Sequence, residues 1–71
     1  MPSQIQALNF IKSYWTPKEA KKWLFKHNFE PIKHVDITPH LYRYRLVPPS
    51  TFRKFRIKKL TPSIEAVIGF K

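Results

Sequence analysis

Proline punctuates this chain at regular places, and glycine is almost missing. Three Thr-Pro pairs (Thr16-Pro17, Thr38-Pro39 and Thr61-Pro62) and the doublet Pro48-Pro49 interrupt it, while Gly69 is the one glycine. Proline fixes φ and lacks an amide donor, so each break marks the boundary of an element and not its interior. With one glycine, the turns must be built from Pro, Asn, Asp, Ser and Thr.

The segments between these breaks have readable periods. Ile5 to Lys12 is expected to form a first strand, with imperfect alternation. Thr16-Pro17-Lys18-Glu19 is a helix start: Thr as N-cap, Pro at the first helical position, Glu closing a capping box. The helix should run to about His27, with Asn28 placed to end it. Ala20, Trp23, Leu24 and His27 share one face at three- and four-residue spacing, and Lys18, Lys21, Lys22 and Lys26 take the other. Pro31 to Ile37 reads as a strand. Leu41 to Val47 reads as another, with Tyr42, Tyr44 and Leu46 alternating against Arg43, Arg45 and Val47. After Pro48-Pro49, Ser50 can cap a short turn carrying Phe52 and Phe55. Phe55 to Leu60 and Ile64 to Phe70 complete the set. The order is β-α-β-β-β-β, with no internal repeat or linker. The expected fold is a single α+β domain over residues 1–71, one helix on a small, mostly antiparallel sheet.

Seventy-one residues leave no room for a second domain. A chain this short buries only about 60% of its unfolded surface, so its stability should be modest. An apolar fraction of 42%, with 15% aromatics, still specifies a folded core. The absence of cysteine removes disulfides and thiolate metal sites and fits a reducing compartment. The opening Met1-Pro2-Ser3-Gln4 has no basic stretch followed by an apolar run, so a secretory signal is not expected. No stretch approaches the roughly 20 apolar residues that span a bilayer.

Charge carries most of the functional information. Fourteen Lys and Arg against four acids give +10 at pH 7. Such an excess destabilises the compact state by self-repulsion, and a polyanionic partner accounts for it more simply than a solubilising surface, which mixes both signs. If the strands around 41–47 and 55–60 are neighbours, Arg43, Arg45, Arg56 and Lys58 stack on the open face of the sheet. Arg53, Lys54 and Lys59 then lie at its margin, and Tyr42, Tyr44, Phe55 and Ile57 point to the helix. Guanidinium groups grip phosphate oxygens bidentately and stay charged. Lys18, Lys22 and Lys26 would add a second contact. Trp23, Tyr44 and Phe55 are expected in the core, while Tyr42 and Phe52 are the candidates for stacking on bases.

Enzyme chemistry is not expected. His34-x-Asp36 with His40 nearby could suggest a metal site, but a Thr-Pro break separates His40 from the other two. Two-metal chemistry needs several converging carboxylates, and Glu19 is already assigned to the cap. No serine stands in a nucleophile context, and no glycine-rich loop exists to hold a nucleotide. No cofactor or metal follows from the sequence.

Several segments in order carry a resemblance. They are Trp15-Thr16, Ala20-Lys21-Lys22-Trp23-Leu24, Tyr42-Arg43-Tyr44-Arg45, Pro49 with Phe52-x-x-Phe55-Arg56-x-Lys58, and Ile64-x-Ala66-Val67-Ile68-Gly69. From about Phe10 to Phe70 the chain resembles a short basic module encoded by tailed phages and large DNA viruses. It is similar to segments near or within phage head-morphogenesis and prohead-protease-type proteins. The resemblance implies a viral or prophage origin and a link to packaged DNA or to the capsid, so that DNA ranks ahead of RNA. It implies a location in the host cytoplasm or nucleus or in the virion, and it transfers no catalytic residue.

The expected function is non-catalytic binding of nucleic acid through its phosphate backbone, with low sequence preference. The alternative is a small virion or assembly protein that docks an acidic protein surface. A membrane-surface role ranks last, because the single helix is short. Nothing in the chain sets its oligomeric state, although a dimer would enlarge both core and charged face. On this reading, joint replacement of Arg43 and Arg45 by Ala should weaken nucleic-acid binding and leave the fold intact, as filter-binding and circular dichroism would report.

Overall fold

In each Thr-Pro pair the threonine hydroxyl accepts a backbone N–H two or three residues ahead. Thr16 Oγ1 accepts from Glu19 N at 3.2 Å, Thr38 Oγ1 from Leu41 N at 2.9 Å and Thr61 Oγ1 from Ser63 N at 3.2 Å. One local device thus makes a helix cap and two hairpin turns, which is how the chain manages with so little glycine. The computed structural model describes residues 3–32 and 35–71. Its elements are β1 (Ser3–Ile11), α1 (Pro17–Lys26), β2 (Asp36–Ile37), β3 (Leu41–Arg45), β4 (Lys54–Thr61) and β5 (Ile64–Phe70), with a 3₁₀ turn at Pro49–Thr51. The protein is an α+β domain with the expected β-α-β-β-β-β order.

The helix is held at both ends by its own sequence. The Thr16 hydroxyl and the Glu19 carboxylate form the reciprocal capping box, and Pro17 occupies the first turn. At the other end Asn28 adopts a positive φ of 62°. Phe29 N donates to Leu24 O at 2.9 Å and Asn28 N to Phe25 O at 3.1 Å. This is the Schellman arrangement, with asparagine in the left-handed position that glycine more often fills.

The five strands form one sheet in the order β2-β3-β1-β5-β4, each neighbour antiparallel. β1 and β2 therefore run parallel with β3 between them, and α1 makes the crossover. The imperfect alternation of the first strand has a cause: the register shifts between Ile5 and Ala7, and Gln6 O accepts from both Leu46 N and Val47 N. That bulge also ends β3 at Arg45, short of the expected Val47. Of the strand expected over 31–37, Asp36–Ile37 is strand among the described residues and residues 33–34 lie outside them, and the first strand begins at Ser3.

α1 covers one face of the sheet. Leu8 and Phe10 of β1, Tyr44 of β3, Ile64 and Ala66 of β5, and Ala20 and Leu24 of α1 make the buried cluster. Phe10 meets three rings edge-on: Trp15 at 5.1 Å, Tyr44 at 5.6 Å and Trp23 at 5.7 Å between centroids. Two of these rings have their polar ends paired, Tyr44 Oη donating to Pro17 O at 3.2 Å and Trp15 Nε1 to Ser63 Oγ at 3.0 Å. Among the described residues no helix is long and apolar enough to cross a membrane.

Two consequences are measurable. A methyl group at Gly69 would collide with the ring of Phe52, so Gly69→Ala should cost about 1–3 kcal/mol in urea unfolding. Burial, and secondarily the neighbouring Tyr42 phenol, raises the pKa of Tyr44 above its ordinary value of 10.0. A group raised on folding contributes stability that is complete below the unfolded pKa and lost as pH rises through the folded one. Wild-type stability should therefore fall above about pH 10, and Tyr44→Phe should lack that part of the fall.

Candidate nucleic-acid interface

Residues opposite one another in a ladder point to the same face, so the registers place the charged side chains of the strands. On the helix side, four rows run across the sheet, one of them Tyr42, Phe10 and Ile64 leading to Thr61. Tyr44, Leu8 and Ala66 lead to Lys58; Ile5 and Ile68 lead to Arg56; Ser3 and Phe70 lead to Lys54. Three of the four apolar rows thus run out to solvent at β4 and end there on cations. All eight residues of β4 are exposed. Lysine and arginine suit that position, because their stems can lie on apolar surface while their heads stay in water. Lys18, Lys22 and Lys26, four residues apart, form an exposed ridge on the outer side of α1.

The opposite, open face is mixed. One row reads Asp36, Arg43, Asn9, Glu65 and Lys59, and the next reads Arg45, Ala7, Val67 and Ile57. Phe55 follows, opposite Gly69. Arg45 Nε lies 3.0 Å from Asp36 Oδ2, and Arg43 Nε donates to Asn9 Oδ1 at 3.3 Å. Gln6, also nearly buried, donates its Nε2 to Val47 O at 2.8 Å. The segment after β3 folds over this face and lays Phe52 on Gly69.

The expected single row of Arg43, Arg45, Arg56 and Lys58 is therefore corrected. β3 and β4 are not neighbours: β1 and β5 lie between them, which separates their axes by about 14 Å at the usual strand spacing. Arg43 and Arg45 point to the open face, whereas Lys54, Arg56 and Lys58 point to the helix side. Phe55 and Ile57, expected to face the helix, share the open face with the two arginines and are 45% and 63% exposed. Phe52, expected as a stacking ring, is 7% exposed and fills the space over Gly69. Tyr42 is half-buried against the core, with the Lys12 ammonium 5.4 Å from its ring centroid. On the open face the exposed ring is Phe55, while Tyr14 and Phe25 are exposed elsewhere.

Arg53, just before β4, and Lys59, on the open face of β4, are both exposed. Arg53 N donates to Phe70 O at 2.9 Å, which anchors the start of that strand. The joint Arg43 and Arg45 replacement is not the clean test the sequence suggests. These side chains tie β3 to β1 and β2, and each lost contact costs up to about 1 kcal/mol of stability. Of the metal-site candidates, Asp36 is engaged by Arg45, His40 is exposed in the turn before β3, and His34 lies outside the described residues.

What pattern could have revealed the true faces? Bulges at residues 5–7 and 59–61 shift the alternation within β1 and β4, and no local sequence mark separates them from continuous strand. The chain matches no known protein-family model, no curated protein and no solved structure.

Proposed function

We propose that this protein is a non-catalytic nucleic-acid-binding module that holds the phosphate backbone with little sequence preference. The observation that carries the reading is β4. It is an edge strand, exposed along its whole length, with Lys54, Arg56, Lys58 and Lys59 and no acid. Edge strands invite pairing with other chains, and inserted cations discourage that by repulsion. A second copy of β4 laid alongside would oppose cation to cation. A polyanion meets the same row with attraction along its length.

Among the described residues one salt bridge forms, Arg45 with Asp36. The cations of β4 and of the α1 ridge are thus left to solvent and to ligand. Contact with several phosphates releases condensed counterions, which supplies affinity without reading bases. The likeness to phage modules ranks DNA ahead of RNA as the source of those phosphates. The four acids of the chain are dispersed over α1, the loop after it, β2 and β5, and a metal-dependent nuclease would need them to converge. An acidic protein surface is the rival ligand; it would bind with a fixed stoichiometry, and the protein would then bind neither nucleic acid appreciably.

The test is a titration of labelled DNA and RNA across a salt series. Binding through about six phosphates should weaken roughly a thousandfold between about 50 and 200 mM salt. The triple variant Lys54→Ala, Arg56→Ala, Lys58→Ala should remain folded, since all three side chains are exposed. It should lower the slope of log K against log salt by about 3 for duplex DNA. A folded triple variant with unchanged slope would overturn this assignment of the face.

A further inference from the structure

The open face of the sheet holds a cleft that phosphate binding along β4 does not use. It measures about 390 Å³ and is lined by Gln6, Arg43, Arg45, Phe55, Ile57 and Val67 among others. Its apolar side comes from β4 and β5 and its cationic side from β3. Resting on the nucleic-acid reading above, we propose that this cleft takes an unpaired base stacked on Phe55, with flanking phosphates on Arg43 and Arg45. The preferred ligand is then single-stranded nucleic acid.

Three features favour that occupant. First, Phe55 is exposed yet oriented. Phe52 meets its ring edge-on at 6.0 Å and 78° between planes, and Phe52 is itself seated where Gly69 has no side chain. An aromatic ring held open on a strand is a stacking platform, and every base has a face to offer it. Second, both guanidinium groups are held in position before any ligand arrives. Each is fixed through Nε, by Asn9 and by Asp36, and guanidinium keeps four further N–H donors on its Nη atoms. Asn9 is 2% exposed, so the acceptor that orients Arg43 is part of the fold and not of the solvent layer. Third, the charge is complementary: the apolar floor is bordered by cations in a chain of net charge +10. An apolar partner would gain nothing from those arginines. A duplex keeps its bases paired and stacked and cannot deliver one to the cleft.

The test compares a labelled thymidine homo-oligonucleotide, the corresponding uridine oligomer and a duplex of equal length, on wild type and on Phe55→Leu. Leucine keeps apolar bulk and removes the π-face. Binding of both single strands should fall by about 5- to 150-fold, the range for one stacked base, while duplex binding and the salt slope stay unchanged. Phe55→Trp should restore single-strand binding, which a merely structural role for the phenyl ring would not allow. Equal losses on single strand and duplex, or no loss on either, would overturn the base-stacking inference and leave phosphate binding along β4 standing. Absence of salt-dependent binding to any of the three ligands by the wild-type protein would overturn both.

Discussion

Phe10 lies near the end of the central strand β1 with no exposed surface, and rings from Trp15, Trp23 and Tyr44 meet it edge-on. Those rings come from the loop before the helix, from the helix and from β3. One side chain therefore gathers the loop before the helix, the helix and the sequence-distant β3. A domain of this size has few fully buried positions, so the area each ring removes from water weighs heavily in its stability. The rings also orient the helix, because Tyr44 reaches Pro17 O and Trp15 reaches Ser63. The N-terminus of α1 is thus pinned both to β3 and to the turn between β4 and β5.

Because one short helix covers a five-stranded sheet, the cover runs out before the sheet does. β4 lies beyond it, and the apolar rows of the helix side continue onto a strand with solvent on both faces. The physical conflict is between pairing β5 fully and leaving a bare edge. Cations at alternate positions resolve it by keeping the edge soluble and repelling other edges. The same substitution pattern that protects the strand creates a row of charge with regular spacing. In this molecule a structural need and the proposed binding role are met by the same residues, Lys54, Arg56 and Lys58.

The opposite face is organised by different forces. There, the bulge at Gln6 ends β3 and sends the chain across the sheet, where Phe52 occupies the space left by Gly69. Buried Asn9 and Gln6 are satisfied by Arg43 and by Val47 O, as polar groups without water must be. The face is therefore partly built and partly open, and its open part joins aromatic surface to fixed guanidinium groups.

Much of the architecture is legible in the sequence, and the legible part is local. The capping box at Thr16 and Glu19, the left-handed Asn28, and the turns at Thr38 and Thr61 are decided by hydrogen bonds spanning a few residues. Alternation in β3 and β4 is likewise visible, and it correctly separates Arg43 and Arg45 from Tyr42 and Tyr44. What alternation cannot express is which of its two sets meets the helix, because that depends on the partner strand and on bulges one residue wide. The interposition of β1 and β5 between β3 and β4, and with it the exposure of Phe55 in place of Phe52, follows from strand order. Strand order is settled by burying the most apolar surface under a single helix, a property of the whole chain and of no segment within it.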